Sequence, residues 1–386
     1  MTGRVDVAVV GGGPAGAAAA SVLAADGAST VLLEKSSYDG ARIGETLPPD
    51  VCLPLQRLGV WDRFRDAGHT PSPGITACWG GPEPYDNDFI RNPYGCGWRV
   101  DRNRFDAMLA AAAAEAGATV LTGTVVNRCT RGSDGAWTVA VTRGDERSEL
   151  AAAFVVDATG RTSSFCRSFG ARHLVHDRLV ALLGFVDEPA GDERALIEAT
   201  EEGWWYSARL PDGRRVLAFH TDPAPGLRAR WSRHLAAAPE TLARAAAVPT
   251  GAIGVVSANS HRMEPVAADG WLAVGDAATA HDPLTGLGIH WALESGIAAA
   301  EAVVRSSTAA YAHHTEERFD RYLAARAEYY RAEARWPRAP FWQRRHEPTA
   351  PGPGPSSTGA GDEGGRSGDG SHRPRRATAP PWGRPW

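Results

Sequence analysis

The sequence predicts an α/β protein in which a Rossmann-type nucleotide-binding domain is interrupted by an antiparallel sheet and followed by C-terminal helices. Three observations predict this fold class. An apolar run at 5–10 leads directly into a glycine-rich turn and an alanine-rich stretch. Short apolar runs separated by turn residues fill 179–220, which is typical of antiparallel strands. A further apolar run at 271–276 precedes a helical pattern at 288–304.

The N-terminal region has the order of elements found in a dinucleotide-binding turn. Gly11 permits a tight turn after the first strand, Gly13 leaves room for a pyrophosphate, and Gly16 allows the following helix to pack closely on the strand. The free N–H groups at the start of that helix attract phosphate. A second apolar run ends at Glu34, whose carboxylate is placed to accept hydrogen bonds from a ribose. The sequence therefore predicts a bound dinucleotide.

Composition indicates a globular protein and disfavours several classes of partner. The 386 residues are 43% hydrophobic and 22% charged, and the formal net charge is −4, which favours neither nucleic acid nor an anionic membrane. Glycines break the first apolar stretch, so we expect no signal peptide and no membrane span. Five cysteines without a C-x-x-C pair predict reduced thiols, no metal site and a cytoplasmic protein.

Changes in composition along the chain predict four parts. The last forty residues contain eight prolines and nine glycines, and such a segment cannot bury enough apolar surface to offset its ordering entropy. The expected bounds are 1–172 and 266–305 for the nucleotide-binding domain, 173–265 for an inserted substrate-domain sheet, 306–346 for a C-terminal helical segment and 347–386 for a disordered tail.

Periodicity and turn residues place the individual elements. Segment 71–93 is rich in Pro, Gly, Asn and Asp and is predicted to be an irregular loop with a strand at 75–79, and 71–98 as a whole is expected to contribute to the substrate side. Hairpin turns are predicted at 133–135 and 211–213. The predicted strands are 119–121, 125–130, 137–143, 153–156, 179–186, 195–199, 203–210 and 214–220, and the predicted helices include 102–116, 288–304 and 315–334.

Two later segments distinguish between dinucleotides. Gly275-Asp276 follows an apolar run, and the turn 283–288, with the pattern Pro-x-x-Gly-x-Gly, opens a helix. This arrangement resembles the flavoprotein monooxygenases of the aromatic-hydroxylase (GR2) fold, which flavin-dependent halogenases and geranylgeranyl reductases share. The resemblance covers about 5–346 and implies a Rossmann-type FAD-binding domain. In such a domain Asp276 would lie at the ribitol or ribose, and the turn would bring N–H groups to the flavin.

Two other segments agree with this resemblance. Arg102 heads a helix resembling the family helix whose arginine reaches the FAD phosphates, although a solvated helix charge is the alternative. Segment 157–161 resembles the family's Asp-Gly segment with two extra residues, so it implies only proximity to the cofactor. With FAD as cofactor, the expected binding residues are Gly11, Gly13, Pro14, Ala15, Gly16, Glu34, Lys35, Arg42, Gly44, Glu45, Thr46, Arg102, Gly160, Gly275, Asp276, Pro283, Gly286, Leu287 and Gly288.

The turn 44–49 indicates a branch of this superfamily. Its sequence Gly-Glu-Thr-Leu-Pro-Pro resembles the Gly-Glu-Ser/Thr-x-x-Pro loop of the halogenase-like branch, which lies against the flavin. A Trp-Trp-Tyr run at 204–206 resembles, with departures, the tryptophan-rich strand of the same branch, although core packing on a half-buried strand explains such a run equally well. The candidate substrate-facing residues are Trp79, Trp204, Trp205 and Tyr206.

Halogenases of this branch depend on a lysine in the channel between flavin and substrate. Segment 70–79, where that lysine would be expected, contains none, and Lys35, the only lysine of the chain, follows Glu34 at the adenosine end. Arginine cannot substitute, because it stays protonated and is no nucleophile. Halogenation is therefore disfavoured.

The segments 44–49, 203–214 and 282–288 together resemble flavoproteins that mature quinone-cofactor enzymes by hydroxylating a protein-bound tryptophan. The resemblance implies an FAD-dependent monooxygenase acting on an indole-like substrate, peptide-bound or a natural-product intermediate, through a flavin C4a-hydroperoxide. Glu45, His281 and His290 are the candidates for proton transfer. Their alternatives are a loop carboxylate bonded to backbone N–H groups and packed histidines.

Two other functions remain open at this point. One is a geranylgeranyl-reductase-like enzyme that reduces an alkene, and the other is a flavin-binding maturation partner that docks a client protein without turnover. Only one dinucleotide motif is present, so NAD(P)H must bind transiently or a separate flavin reductase must supply the electrons.

Overall fold

The computed structural model describes residues 3–40, 42–187, 191–245 and 252–347. Apart from Glu347, the expected tail 347–386 lies outside the described residues. The strands are β1 (Arg4–Val10), β2 (Thr30–Leu33), β3 (Thr46–Leu47), β4 (Thr70–Ser72), β5 (Gly74–Cys78), β6 (Tyr85–Asp88), β7 (Gly97–Arg99), β8 (Thr119–Leu121), β9 (Thr124–Arg131), β10 (Trp137–Arg143), β11 (Glu146–Asp157), β12 (Arg172–Val175), β13 (Val180–Asp187), β14 (Ala195–Thr200), β15 (Gly203–Arg209), β16 (Arg214–Thr221), β17 (Gly254–Ser257), β18 (His261–Glu264), β19 (Ala267–Ala268), β20 (Trp271–Ala273) and β21 (Thr279–Ala280). The helices are α1 (Pro14–Ala25), α2 (Cys52–Arg57), α3 (Trp61–Asp66), α4 (Arg102–Glu115), α5 (Ser164–Ser168), α6 (Trp231–Ala236), α7 (Pro239–Arg244), α8 (Gly288–Val304), α9 (Thr308–Ala332) and α10 (Pro340–His346).

The nucleotide-binding domain is built on a sheet whose centre is parallel. Strand β1 pairs in parallel with β2 and β11, β2 pairs with β8, and β11 pairs with β20. Strands β9 and β10 add an antiparallel hairpin at one side, joined by the turn predicted at 133–135. All four residues of β2 are buried, as a parallel strand covered on both faces requires. The predicted Rossmann-type core is confirmed.

Helices α1 and α8 approach each other closely beside this sheet. The contact is possible because small residues line it. A Cβ atom at Gly296 of α8 would lie 2.2 Å from the backbone oxygen of Ala15, and a Cβ at Gly275 would lie 2.8 Å from the Ala15 Cβ. Because Ala15 begins α1 directly after the glycine turn, this contact fixes the distance between that turn and α8.

The inserted sheet has the strand order β17-β13-β16-β15-β14-β5-β6. Its pairs are antiparallel except for β14 and β5, which are parallel. The hairpin of β15 and β16 turns at the predicted 211–213. Segment 71–93 contains the strand expected at 75–79, as β5, but the rest is more regular than composition predicts, because it contributes β6 and most of β4 as well. The pairing of β5 with β14, more than a hundred residues away in the chain, stabilises strands that local composition does not favour.

The small helices and the small sheets complete the fold. Helices α6, α7 and α10 are absent from the sequence prediction because six or seven residues are too few for a helical period to be recognised. Strands β12 and β18, from the two ends of the insert, pair in a sheet with β21 of the nucleotide-binding domain. Strand β7 lies between β3 and β4 in another small sheet. No helix of the described ranges is both long and apolar enough to cross a membrane.

One face of α9 holds the turn 282–288. Tyr322, Arg326 and Tyr330 follow at intervals of four residues, so they lie on one side of the helix. The Asp282 carboxylate, which is fully buried, accepts hydrogen bonds from Arg326 Nε at 3.0 Å and from the Tyr330 hydroxyl at 2.7 Å. The Asp282 backbone N–H donates to the Tyr322 hydroxyl at 2.7 Å. Three side chains of α9 thus fix the first residue of the turn.

The same helix face connects the turn to the inserted sheet. Arg326 forms an ion pair with Asp177 at 3.1 Å, and the indole N–H of Trp204 in β15 donates to the Tyr330 hydroxyl at 3.1 Å. Burial lowers the pKa of Arg326, but the charge of Asp282 raises it well above its ordinary value, so the guanidinium stays charged. A change in the position of α9 would therefore move the turn and the sheet together.

We predict that Gly296→Ala destabilises the protein by about 1–3 kcal/mol, because the new methyl group overlaps the backbone of Ala15. Urea unfolding gives the free energy. Gly81→Ala is the matched control, since a Cβ there meets no heavy atom within 4 Å. Equal stabilities of the two variants would mean that the helices can separate without cost.

We also predict that Arg326→Met destabilises the protein by about 3–5 kcal/mol, because it leaves the Asp282 carboxylate buried without its cation. Arg63→Met, which removes an exposed arginine paired with Glu115, should leave the unfolding midpoint unchanged. An Arg326→Met protein with the wild-type midpoint would show that Asp282 does not depend on this charge.

Candidate active site

A cavity of about 480 Å³ opens between the nucleotide-binding domain and the inserted sheet. Its walls come from the glycine turn at 13–15, the loop 43–46, the turn 282–288 with the start of α8, and the near face of the inserted sheet. A cleft of about 240 Å³ adjoins it, shares Glu45 in its wall, and extends to the hairpin turn at 211–213. Residues distant in sequence thus meet around one space.

The glycine turn presents backbone to this cavity. Residues 13–15 line it, and no side chain caps the N-terminal N–H groups of α1. A Cβ on Gly13 meets no atom within 4 Å, so the chain there faces open space. Gly11 and Gly16 serve packing instead, because Cβ atoms would lie 2.2 Å from the Ala158 oxygen and 1.9 Å from the Gly11 oxygen, respectively. An uncapped helix N-terminus beside bare backbone fits a phosphate group.

Glu34 lies at the end of β2 and is buried against the glycine turn. Its carboxylate accepts hydrogen bonds from the Gly12 N–H at 2.7 Å and from the Ser36 N–H at 2.9 Å, and Arg42 lies 3.0 Å away. Burial raises the pKa of Glu34, but these hydrogen bonds and the Arg42 charge together lower it below its ordinary value. Lys35 is exposed and does not line the cavity.

Arg102 fastens the loop 43–46 to α4. Its Nε and Nη2 lie 3.1 Å and 3.0 Å from the Asp106 carboxylate, and its Nη1 donates to the carbonyl oxygens of Ile43 and Gly44. The side chain also forms part of the cavity wall. Arg102 is therefore a bound, oriented cation rather than the solvated charge considered as its alternative, and its expected contact with the FAD phosphates remains a prediction.

Asp276 and Gly160 line the cavity from the carboxyl ends of two neighbouring parallel strands, β20 and β11. Arg161 lies beside them, with Nε 3.4 Å from the Asp276 carboxylate and hydrogen bonds to the carbonyl oxygens of Asn259 and His281. Arg161 is not among the site residues that the sequence predicts. Its position directly after Gly160, at a parallel strand end, is the signal that would have indicated it.

The turn 282–288 brings a second helix N-terminus to the cavity. Pro283, Gly286 and Gly288 line it, and no side chain caps the N–H groups at the start of α8. Gly286 has a φ of 65°, a left-handed conformation that favours glycine. Leu287, expected at the cofactor, instead packs with Trp291 beneath the turn.

These features fit FAD. One cavity is faced by the uncapped starts of α1 and α8, by glycine backbone without side chains, and by the partly exposed carboxylate of Asp276. The N–H groups suit the pyrophosphate and the electron-rich edge of a flavin, and a carboxylate suits ribose or ribitol hydroxyls.

Glu45 carries the most distinctive chemistry of the cavity. The residue is only 8% exposed, and its carboxyl group accepts hydrogen bonds from the Gly44 N–H at 3.0 Å and from the Tyr206 hydroxyl. The Thr46 hydroxyl hydrogen-bonds Tyr206 in turn. Burial raises the pKa of Glu45, and this effect outweighs the Tyr206 hydrogen bond and the charges of Arg99 and Arg102. Burial and the Glu45 charge also raise the pKa of Tyr206, which therefore stays protonated.

Of the four residues expected to face the substrate, only Tyr206 lines the cavity. Successive side chains of a strand point to opposite faces, so Trp205 packs on the far face against Trp231. Trp204 and Trp79 lie on the same side as Tyr206 but are buried behind the cavity wall, with ring centroids 6.4 Å apart. Trp79, Trp204 and Trp205 are thus core residues that do not line the cavity, and this arrangement does not support their expected contact with a substrate.

The two candidate histidines differ in position. His281 lines the cavity, packs against Trp291, and has a pKa well below its ordinary value, chiefly because it is buried. His290 does not line the cavity. Its Nε2 lies 3.1 Å from Glu294, and its Nδ1 lies 3.7 Å from Asp50, because this face of α8 points away from the turn. This position does not support the expected role of His290 in proton transfer.

Comparisons with known proteins agree with this geometry. The FAD binding domain model matches residues 4–336. LodB of Marinomonas mediterranea, named as a candidate FAD-dependent oxidoreductase, is 31% identical over 364 residues, covering 88% of this chain and 96% of its own. A menaquinone reductase of Mycolicibacterium smegmatis is 27% identical over 337 residues, covering 81% of this chain and 79% of its own.

Solved structures show the same fold. The flavin-dependent halogenase CmlS superposes with a TM-score of 0.81 at 26% identity, covering 90% of this chain and 68% of its own. The peptidyl tryptophan dihydroxylase QhpG superposes with a TM-score of 0.73 at 24% identity, covering 89% of this chain and 78% of its own. The chain therefore belongs to the FAD binding domain family and is a flavin-dependent oxidoreductase with the fold of the aromatic hydroxylases and flavin-dependent halogenases.

Proposed function

We propose that this oxidoreductase hydroxylates an electron-rich aromatic substrate, an indole-like ring that is peptide-bound or part of a natural-product intermediate. The observation that carries the proposal is the buried Glu45–Tyr206 pair, which faces the same cavity as the turn 282–288. An aromatic ring between them would have the flavin on one side and a proton-transferring pair on the other.

The inserted sheet supplies an apolar wall for such a ring. Most side chains of this wall are aliphatic and are held by the strand register of β5, β13, β14 and β16; they are Ile75, Ala181, Leu183, Ile197, Val216 and Ala218. His220 of β16 also lines the wall, and burial lowers its pKa to about 3, so it is neutral there. Apolar side chains exclude water from the space that the ring would occupy. When bound, the flavin supplies the two-electron and dioxygen chemistry.

Glu45 and Tyr206 would accept the proton that the substrate ring releases. Hydroxylation of an aromatic carbon ends with loss of the proton from that carbon. The Tyr206 hydroxyl is protonated and hydrogen-bonded to the Glu45 carboxyl group, so a proton received by one oxygen can be passed to the other. His281, which is neutral and lines the cavity, can orient a polar group of the substrate without bringing a charge.

Halogenation fits this chain less well. The described residues that line the cavity include no lysine, and Lys35 lies exposed after β2, at the other end of the nucleotide-binding site. The relation to halogenases such as CmlS is one of fold and cofactor, and the hydroxylase QhpG shares that fold as well.

A second candidate function is reduction of an alkene. It is favoured by the likeness to a menaquinone reductase and by the aliphatic wall of the cavity. The mass of the product separates the two functions, because hydroxylation adds one oxygen atom and reduction adds two hydrogen atoms.

Electrons would reach the flavin from NAD(P)H binding transiently or from a separate flavin reductase, because the chain has one dinucleotide motif. Stopped-flow reduction with NADH and NADPH, each with and without a flavin reductase, distinguishes these sources.

The proposal is tested by reducing the FAD-loaded protein anaerobically and then adding oxygen with tryptophan, a tryptophan-containing peptide or an indole. We expect a product heavier by one oxygen atom in at least one case. Flavin reoxidation with every substrate mass unchanged would contradict the proposal. A gain of two hydrogen atoms by an isoprenoid alkene, added to the reduced protein in a parallel anaerobic incubation, would favour the reductase.

We predict that Glu45→Gln lowers the hydroxylation rate by about 10²–10⁴-fold, the usual contribution of a positioned acid or base. Tyr206→Phe should lower it as well and leave flavin binding intact. In the wild type the rate should rise with pH through a pKa above the ordinary 4.5 of a glutamate, because the ionised form accepts the proton. If the rate of Glu45→Gln no longer rises with pH in this range, Glu45 is the group whose ionisation controls the wild-type rate.

The same raised pKa predicts an effect on stability. The Glu45 carboxyl group has a higher pKa in the folded protein than in the unfolded chain. Its contribution to the free energy of unfolding is therefore fully present below the pKa of the unfolded chain and is lost as pH rises through the pKa of the folded protein. Glu45→Gln should therefore be more stable than the wild type at neutral pH and not at pH 3. Unfolding midpoints at the two pH values measure this, and a stability difference that does not change with pH would contradict the raised pKa.

A further inference from the structure

Arg99 is a buried cation close to Glu45 that lines neither the cavity nor the adjoining cleft. It ends β7, the central strand of the small sheet, and its side chain is among the largest that are fully buried. Its Nε and Nη2 have no hydrogen-bond partner in the described part of the chain, and its Nη1 reaches only the Trp98 carbonyl oxygen at 3.5 Å. A buried guanidinium without partners is costly and calls for an anion.

The strand register directs Arg99 toward the Glu45–Tyr206 pair. Arg99 is paired with Thr46 in the antiparallel β3–β7 ladder, so the two side chains lie on one face. Thr46 contacts the Tyr206 hydroxyl, and the backbone oxygen of Glu45 accepts the Val100 N–H at 2.8 Å. Glu45 is thus held one residue from the position opposite Arg99.

Arg102, the other cation near Glu45, is already compensated. It is paired with Asp106 and donates to two carbonyl oxygens of the loop 43–46. The groups acting on Glu45 are Arg99 from β7, Arg102 from α4 and Tyr206 from β15. Among the described residues around Glu45, Arg99 therefore holds the charge without a partner.

We propose that Arg99 is a positioning residue that supplies the counter-charge for the ionised form of Glu45, and so lets this buried carboxylate act as the proton acceptor of the site. The inference rests on the proposed hydroxylation for its catalytic meaning. A carboxylate in an apolar cavity is otherwise driven to the neutral form, which cannot accept a proton.

The proton step balances as follows. Dioxygen provides one oxygen atom to the aromatic carbon and the other leaves as water, with electrons from reduced flavin. The oxygenated ring carbon then loses its proton, and the C–H bonding pair returns to the ring. Tyr206 receives this proton while passing its own to the Glu45 carboxylate. Glu45 becomes neutral, so the Arg99 charge loses its counter-charge. The loss of the proton from Glu45 to solvent restores the carboxylate and the balance of charge.

The decisive measurement is the ionisation of Glu45 in the resting holoenzyme, which needs no turnover. Infrared difference spectra recorded against pH report buried carboxyl groups, and subtraction of the Glu45→Gln spectra isolates the Glu45 band. We expect Arg99→Met to move the titration of this band to higher pH, and Arg99→Lys, which keeps the charge, to restore most of it. Arg63→Met, which removes an exposed positive charge on α3, should leave it in place.

Turnover provides the second readout. In Arg99→Met the rate at neutral pH should fall about tenfold, because less of Glu45 is ionised. At pH values above the shifted Glu45 titration, the rate should approach within about twofold of wild type. A structural role alone would lower the rate equally at every pH. If Arg99→Met does not fold, Arg99→Gln removes the charge and keeps hydrogen-bonding atoms, and the same two readouts apply.

The outcomes separate this inference from the proposed function. An unshifted Glu45 titration in both charge-removing variants would overturn the inference, even if aromatic substrates are hydroxylated normally. A shifted titration with no oxygenated product from any aromatic substrate would overturn the proposed hydroxylation and leave the charge coupling of Arg99 and Glu45 established.

Discussion

The ion pair between Asp282 and Arg326 is the interaction on which the site depends. It joins the first residue of the turn 282–288 to the middle of α9, and both groups are buried. Two tyrosines one helical turn away on either side complete the attachment. Because one of them also bonds Trp204 of the inserted sheet, a single helix face sets the distance between the turn 282–288 and the inserted sheet. Breaking a buried pair leaves an uncompensated charge, which makes this geometry rigid.

At Glu45, on the other side of the cavity, burial and nearby arginines also act on a carboxyl group, but their relative strength differs. Asp282 has the Arg326 guanidinium against it at 3.0 Å, whereas burial dominates at Glu45 and favours its neutral form. A carboxyl group poised between its neutral and ionised forms is suited to exchanging protons, and a fully paired one is suited to holding structure. Two buried carboxyl groups facing one cavity thus acquire different roles from the number and placement of the arginines around them.

The fold itself does not select the reaction. Halogenases, a hydroxylase and a quinone reductase share this architecture or sequence likeness. The side chains that face the cavity from the inserted sheet and the loop 43–46 form the set that would meet a substrate. Here that set contains a carboxyl group, a phenol and aliphatic side chains, and the sole lysine lies elsewhere. The chemistry is therefore a property of a few positions rather than of the scaffold.

The sequence by itself determined the nucleotide-binding scaffold, because Gly11, Gly13 and Gly16 obey local rules of turn geometry and close packing that need no knowledge of distant residues. It also located helices such as α8 and the hairpin at 211–213, whose signals are local. Only the tertiary structure decided which face of each element meets the cavity. Trp205 and His290 look as suitable in sequence as Tyr206 and His281, yet the strand pleat and the helix rotation turn them away. Arg99 is placed near Glu45 by the pairing of β7 with β3, and Arg326 forms an ion pair with Asp282, so long-range packing alone could reveal the positions of both arginines.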